Sequence, residues 1–227
     1  MTFRNRLQYF LVKCLNISNK EALQLILEQK IKVNGIGVNA NIEIGLTDSI
    51  EYEGKCLQQG KKLQYYAFYK PIGIETTLNA SIADNLKEIL PFEDELFPIG
   101  RLDKASEGLL LLTNDGRLYD KILRKEYEVE KEYWVWVNKS ISADFIEKMS
   151  NGIQIMDKMT LPCYAERIDD TCFKIILIQG LNRQIRRMCY KLDYEVTRLL
   201  RVRIGEVHLA DLKPSEYKKI GEKELIK

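Results

Sequence analysis

Downstream of Leu63 the apolar residues recur with a period of two, and the runs that carry this period do not alternate strictly with helices. Tyr65, Ala67 and Tyr69 alternate with Tyr66 and Phe68, Trp134 and Trp136 alternate with Val135 and Val137, and residues 173–178 form a β-branched run. Helices are predicted over 82–90, over 115–124 behind an Asn114-Asp115 cap, over 143–149 behind Ser142 and over 183–192 behind Asn182. A doubly wound sheet needs a helix after each strand. The pattern therefore predicts an α+β domain over 63–227, with a mixed, largely antiparallel sheet and flanking helices.

The first segment has a different rhythm. Leu7, Phe10, Leu11 and Leu15 recur at helical spacing. Ser18 stands three residues before Glu21, the spacing of a capping box, so a second helix is expected from about Asn19, with Ala22, Leu23, Ile26 and Leu27 on one face. Ile31-Lys32-Val33, Asn34-Gly35 and Ile36-Gly37-Val38 then read as a tight hairpin. A polar stretch holding Gly54 and Gly60 follows, and the domain boundary belongs there. The expected division is a small αα-β module over 1–60 and a larger domain over 63–227.

With 35 basic residues against 33 acidic ones, the chain as a whole exerts no pull on a polyanion. A nucleic-acid partner requires clustering, and one cluster exists. Between Leu181 and Gly205 seven basic residues face only Asp193 and Glu195, a local surplus of five charges. The five cysteines form no C-x-x-C pair and are odd in number, which argues against a zinc ribbon or a disulfide framework and for a reducing cytoplasm. No stretch approaches the ~18 uninterrupted apolar residues of a membrane span, so neither signal, anchor nor membrane partner is expected. The one histidine, His208, excludes most metal-hydrolase and Ser-His-Asp schemes. Catalysis would fall to carboxylates, tyrosines or basic residues.

Three segments offer such groups. In Gly100-Arg101-Leu102-Asp103-Lys104-Ala105-Ser106-Glu107-Gly108 a polar loop leads into an apolar strand, Leu109-Leu110-Leu111-Leu112. Asp103 either satisfies loop amides or acts as a nucleophile kept ionised by a cation, whereas Lys104 and Glu107 read as a solvated face. In Lys131-Glu132-Tyr133, the tyrosine shares a strand face with Val135 and Val137, and its ring is either core filler or a surface for stacking on a base. In Asn182-Arg183-Gln184-Ile185-Arg186-Arg187-Met188, helical spacing puts Arg183 and Arg187 on one face, free to meet phosphates or merely solvated, with Arg186 pointing elsewhere.

Arg6-Leu7, Ser18-Asn19-Lys20-Glu21-Ala22 and Val33-Asn34-Gly35 resemble the R-L, S-R-R-E-A and V-N-G patterns of an S4 RNA-binding module, with Asn19 in place of the usual arginine. Lys70-Pro71-Ile72-Gly73 resembles a K-P-x-G motif, residues 100–116 a G-R-L-D…G-L-L-L-L-T-N-D-G motif, Lys131-Glu132-Tyr133 a K-x-Y motif and residues 182–188 an N-R-Q-I-R-R-M motif. Together these resemble the RsuA/RluB/RluE/RluF group of bacterial ribosomal RNA pseudouridine synthases over nearly the whole chain. The RluF subgroup, which acts on 23S rRNA, is the most similar.

The resemblance implies the pseudouridine synthase fold and its chemistry. Asp103 is then the catalytic aspartate, Tyr133 the active-site tyrosine and Arg186 the cation paired with Asp103. Arg101 would occupy the space near the flipped nucleotide and Leu199 an apolar wall, while Lys70, Arg183, Gln184 and Arg187, with Arg6 and Lys20 of the S4-like module, would contact RNA. The implied partner is ribosomal RNA of the 23S class, with tRNA as a second candidate, and the implied enzyme is a monomer without cofactor or metal. Asp103 would attack C6 of uracil or C1′ of ribose, or stabilise a glycal-forming elimination. The competing reading is a non-catalytic S4-containing protein of ribosome assembly. An intact Asp103, Tyr133 and Arg186 argue against it, because binding a polyanion requires no carboxylate.

Overall fold

The computed structural model describes residues 5–92 and 96–225. The chain forms two compact units, 1–63 and 64–227. In the first, α1 (Leu7–Leu15) ends at Asn16 in the left-handed conformation, and α2 (Asn19–Leu27) begins at a complete capping box. Ser18 Oγ accepts from the Glu21 amide at 3.3 Å, and Glu21 Oε2 accepts from the Ser18 amide at 2.8 Å. Strands β1 (Ile31–Val33), β2 (Ile36–Gly37), β3 (Ile50–Tyr52) and β4 (Lys55–Gln58) form an antiparallel sheet in the order β2-β1-β3-β4. Asn34 and Gly35 both have positive φ, +53° and +78°, as the two-residue hairpin requires. Leu7, Leu11, Ala22, Ile26, Ile31 and Ile50 are fully buried together as the core of this unit.

The second unit runs β5 (Tyr65–Lys70), α3 (Leu86–Ile89), β6 (Phe97–Ile99), β7 (Glu107–Thr113), α4 (Arg117–Leu123), β8 (Lys131–Val137), α5 (Ala143–Asn151), β9 (Gln154–Ile155), β10 (Lys158–Met159), β11 (Tyr164–Arg167), β12 (Cys172–Leu177), α6 (Gln184–Lys191), β13 (Val196–Ile204), β14 (Val207–His208), β15 (Tyr217–Lys219) and α7 (Glu222–Leu225). Its main sheet has the order β11-β12-β8-β13-β7-β5-β15, with β14 beside β13 and β6 beside β7. Every pairing is antiparallel except β13 with β7. The fold is thus the mixed, largely antiparallel α+β arrangement expected from the strand pattern.

All seven residues of β7 are buried, which explains its uninterrupted leucines: both faces of this central strand are covered. Where β7 meets β13, Gly108 has φ +108°, and a Cβ there would collide with the Arg201 carbonyl. Helices α5 and α6 pack on one face of the sheet, where Phe145, Met149, Ile185 and Met188 close over Val135, Phe173, Ile175 and Leu199. Among the described residues no helix is long and apolar enough to cross a membrane.

Two helix expectations need correction. The one over 82–90 shrinks to Leu86–Ile89, because Asp84 adopts φ +55° and Asn85 caps the helix, accepting from the Glu88 amide at 3.3 Å. The one over 183–192 starts at Gln184. Arg183 stands before it in the left-handed conformation and does not share a helical face with Arg187.

Candidate active site

Between β6 and β7 the chain passes through a polar loop that is clamped from both sides. Thr76 Oγ1 donates to the Leu102 carbonyl at 2.6 Å and accepts from the Leu102 amide at 3.1 Å. The Gly73 amide donates to the Lys104 carbonyl, and the Ser106 amide closes a turn onto the Asp103 carbonyl. Asp103, at the head of this turn, keeps 31% of its side chain exposed and faces a cleft of about 120 Å³. Arg101, Tyr133, Gln184 and Leu199 share that cleft, along with Arg183 and Arg186.

Each wall comes from a different element. Tyr133 projects from β8, packs against the buried cluster beneath α6, and has the Arg201 guanidinium 6.0 Å from its ring centroid. Leu199, on β13 opposite Val135, is buried and apolar. Arg201 is also buried. Its Nε donates to the Leu109 carbonyl at 2.7 Å and its Nη1 to the Arg101 carbonyl at 3.4 Å, so it ties the loop to β7 and β13.

The expected pairing of Arg186 with Asp103 is not the one observed. Arg183 Nη1 lies 3.8 Å from Asp103 Oδ2, whereas Arg186 donates to the carbonyls of Ala105 at 2.7 Å and Val196 at 3.1 Å and to Ser106 Oγ at 3.3 Å. The reason is local. Arg183 leaves the backbone before α6 and reaches the loop head, whereas Arg186 is committed to backbone acceptors at the loop base. Burial, and then the neighbouring Arg183 charge, lower the Arg186 pKa from the usual guanidinium value.

Burial changes other expectations. Lys70 is fully buried, and its Nζ donates to the carbonyls of Pro71 and Ile74 at 2.7 Å each, so it is not exposed to RNA. Burial pulls its pKa down to about 8. Gln184 is buried too, its Oε1 accepting from the Leu181 amide and its Nε2 meeting Met188 Sδ, so its polar groups serve the loop before α6. Glu107, read as solvated, accepts from Arg198 Nε at 2.6 Å and from the Tyr69 hydroxyl at 2.7 Å in a nearly closed site. Burial, and next the Glu107 contact, push the Tyr69 phenol up to about 12. Lys104 is exposed and paired with Asp84.

Arg187 lies outside the cleft and folds onto Asn182, whose carbonyl and Oδ1 accept from its Nε and Nη2. In the first unit, half-buried Arg6 donates to the Asn41 carbonyl, and Lys20 is exposed in the first turn of α2. The residues that sequence reasoning missed are Thr76, Ser106 and Arg201. Arg201 stood only in a count of basic residues; its place opposite Tyr133 follows from strand register.

Residues 64–191 match the family profile of the RNA pseudouridylate synthases, more than half of the chain. The chain belongs to that family. The synthase is 38% identical over 211 residues to the dual-specificity RNA pseudouridine synthase RluF of Salmonella typhi, covering 92% of this chain and 73% of the relative. RluF of Escherichia coli K12 matches to the same extent. The ribosomal large subunit pseudouridine synthase B of Bacillus subtilis is 29% identical over 219 residues, 91% of this chain and 88% of that one. A crystal structure of a pseudouridylate synthase superposes with a TM-score of 0.69 at 26% identity, covering 97% of both chains. The synthase thus shares fold and enzyme class with these relatives, and RNA is its substrate.

Proposed function

We propose that this synthase isomerises a specific uridine of ribosomal RNA, 23S in particular, to pseudouridine, with Asp103 as the group that acts on the flipped nucleotide. The observation that carries this reading is the Asp103 carboxylate itself, held by a doubly clamped loop between Tyr133 and Leu199, with a guanidinium 3.8 Å away. A carboxylate facing a polyanion would weaken a pure binding protein. It is useful where a nucleophile is required.

The reaction breaks the N1–C1′ bond, turns the uracil and joins C5 to C1′; C5 loses a proton and N1 gains one, so atoms balance without an oxidant or an energy source. The target must first leave its stack, at a cost of a few kcal/mol. Tyr133 and Leu199 offer the freed base an aromatic and an apolar surface, and exposed Arg101 stands at the mouth to fill the vacated space. Arg183 stands beside the carboxylate, its Nη1 3.8 Å from Asp103 Oδ2, and so orients it toward the base. Arg186 is a positioning residue that fixes the loop on which Asp103 rides. The proton at C5 leaves to Asp103, or to Tyr133 Oη after the phenol has given its own proton to N1.

Residues 1–63 form an S4-type docking module in this reading, with Lys20 meeting a phosphate and Arg6 bracing the segment around Asn41. The enzyme works as a monomer in the cytoplasm. The test is a pseudouridine map of rRNA by carbodiimide labelling and primer extension, from cells with the gene, without it, and carrying Asp103→Asn. One stop in 23S rRNA should vanish in the last two. An unchanged rRNA map overturns the assignment, and the same assay on tRNA decides whether a second RNA is modified.

A further inference from the structure

A second concavity adjoins the Asp103 cleft, of about 500 Å³, between α6 and the turn that joins β9 to β10. Arg183 and Arg186 line both spaces, so the two adjoin at these side chains. The outer groove adds Arg187, Tyr190 and Lys191 from α6 and Met156 from the turn, against a single lining acid, Glu195. Tyr190 is 78% exposed, the most exposed large apolar side chain among the described residues, and Met156 across the groove is 55% exposed. Nothing in the described fold uses this face. Helix α6 buries Ile185, Met188 and Cys189 and turns Arg187, Tyr190 and Lys191 outward.

An aromatic ring standing free among four cationic side chains has the chemistry of a single-strand platform, with bases stacking on the ring while cations follow the phosphates. An acidic peptide would satisfy the charges. Adjacency to the cleft favours nucleic acid, because a chain that inserts a nucleotide beside Asp103 has this groove as its next basic surface, on the other side of Arg183 and Arg186.

We infer that the α6 groove binds the unpaired nucleotides that flank the target uridine, with one base stacked on Tyr190 and phosphates on Arg187 and Lys191. This rests on the RNA reading of the Asp103 site and adds to it a preference for a single-stranded flank.

The test measures anisotropy of fluorescein-labelled decauridine, and of a fully paired hairpin of equal nucleotide count, at several salt concentrations. Tyr190→Ala should weaken decauridine binding about tenfold, as expected for one lost base stack, and Tyr190→Phe should restore it. Replacing both Arg187 and Lys191 by Ala should reduce the slope of log K against log salt by about 1.4, two single-strand phosphate contacts. The hairpin should bind more weakly and be insensitive to Tyr190. Wild-type affinity in Tyr190→Ala, no measurable decauridine binding, an unaltered slope in the double variant, or a preference for the hairpin overturns the proposal. The rRNA map of the wild type is a separate readout, so an enzyme that modifies rRNA but ignores Tyr190 refutes the groove without touching the assigned reaction. An acidic peptide that competes with decauridine only in the presence of Tyr190 would likewise turn the groove over to a protein partner.

Discussion

Arg183 and Asp103 face each other at 3.8 Å across the cleft, with the arginine side chain half exposed, while Arg186 is engaged by the Ala105 and Val196 carbonyls. Two arginines three residues apart therefore have separable effects. Asp103→Asn should abolish turnover and leave RNA affinity within a fewfold. Arg183→Ala should lower the single-turnover rate by at least tenfold with an unchanged denaturation midpoint, since it removes a partly solvated charge. Arg186→Ala should lower both, with a stability loss of about 1.5–3 kcal/mol from its charged hydrogen bonds to the Ala105 and Val196 carbonyls and to Ser106 Oγ. Urea midpoints and single-turnover rates on one rRNA fragment separate the cases, and a destabilised Arg183→Ala beside an unaffected Arg186→Ala would reverse the two roles.

Gly108 combines a φ of +108° with contact against the Arg201 carbonyl, at the parallel junction of β7 with β13. Gly108→Ala should cost roughly 2–4 kcal/mol, because both the backbone conformation and the space forbid a Cβ. The urea midpoint should fall with the m-value unchanged. A loss under about 0.5 kcal/mol would mean that β7 and β13 separate easily there.

Lys70 carries a pH signature. Its amine titrates near 8 when folded and near 10.5 when unfolded, so between these values the unfolded chain binds the extra proton. Stability attributable to Lys70 is therefore lowest, and flat, below pH 8 and rises with pH up to about 10.5. The difference in unfolding free energy between wild type and Lys70→Met should change in that window by on the order of 1 kcal/mol per pH unit, in favour of the wild type as pH rises. A difference independent of pH would show that Lys70 is solvated.

Every residue around the Asp103 cleft lies in the second unit. Removing residues 1–63 should weaken binding to large rRNA fragments and flatten the salt dependence by ~0.7–0.9 log units per lost phosphate contact. The rate at saturating RNA should fall much less than the affinity. Binding curves and single-turnover rates at several salt concentrations check this. Loss of the saturated rate with an unchanged salt slope would make the first unit part of the catalytic machinery.

Sequence by itself determined whatever closes within a few residues. The Ser18–Glu21 capping box, the Asn34-Gly35 hairpin and the Ser142 cap, which accepts from the Phe145 amide at 3.1 Å, all depend on neighbours three or four positions away. The leucine run of β7 announced an apolar strand, and the long motif around Asp103 announced the enzyme family, since both are contiguous in the chain. Tertiary structure alone decided the partners of the charged groups. Arg186 reaches an acceptor 81 residues away, Glu107 an arginine 91 away and Arg201 a carbonyl 92 away, and each distance is set by how α6 and β13 lie against β7. A lysine in a motif and a glutamate in a polar loop look solvated as text. They are buried because the sheet closes over them and supplies compensating carbonyls and guanidinium, a condition that only the folded register can meet.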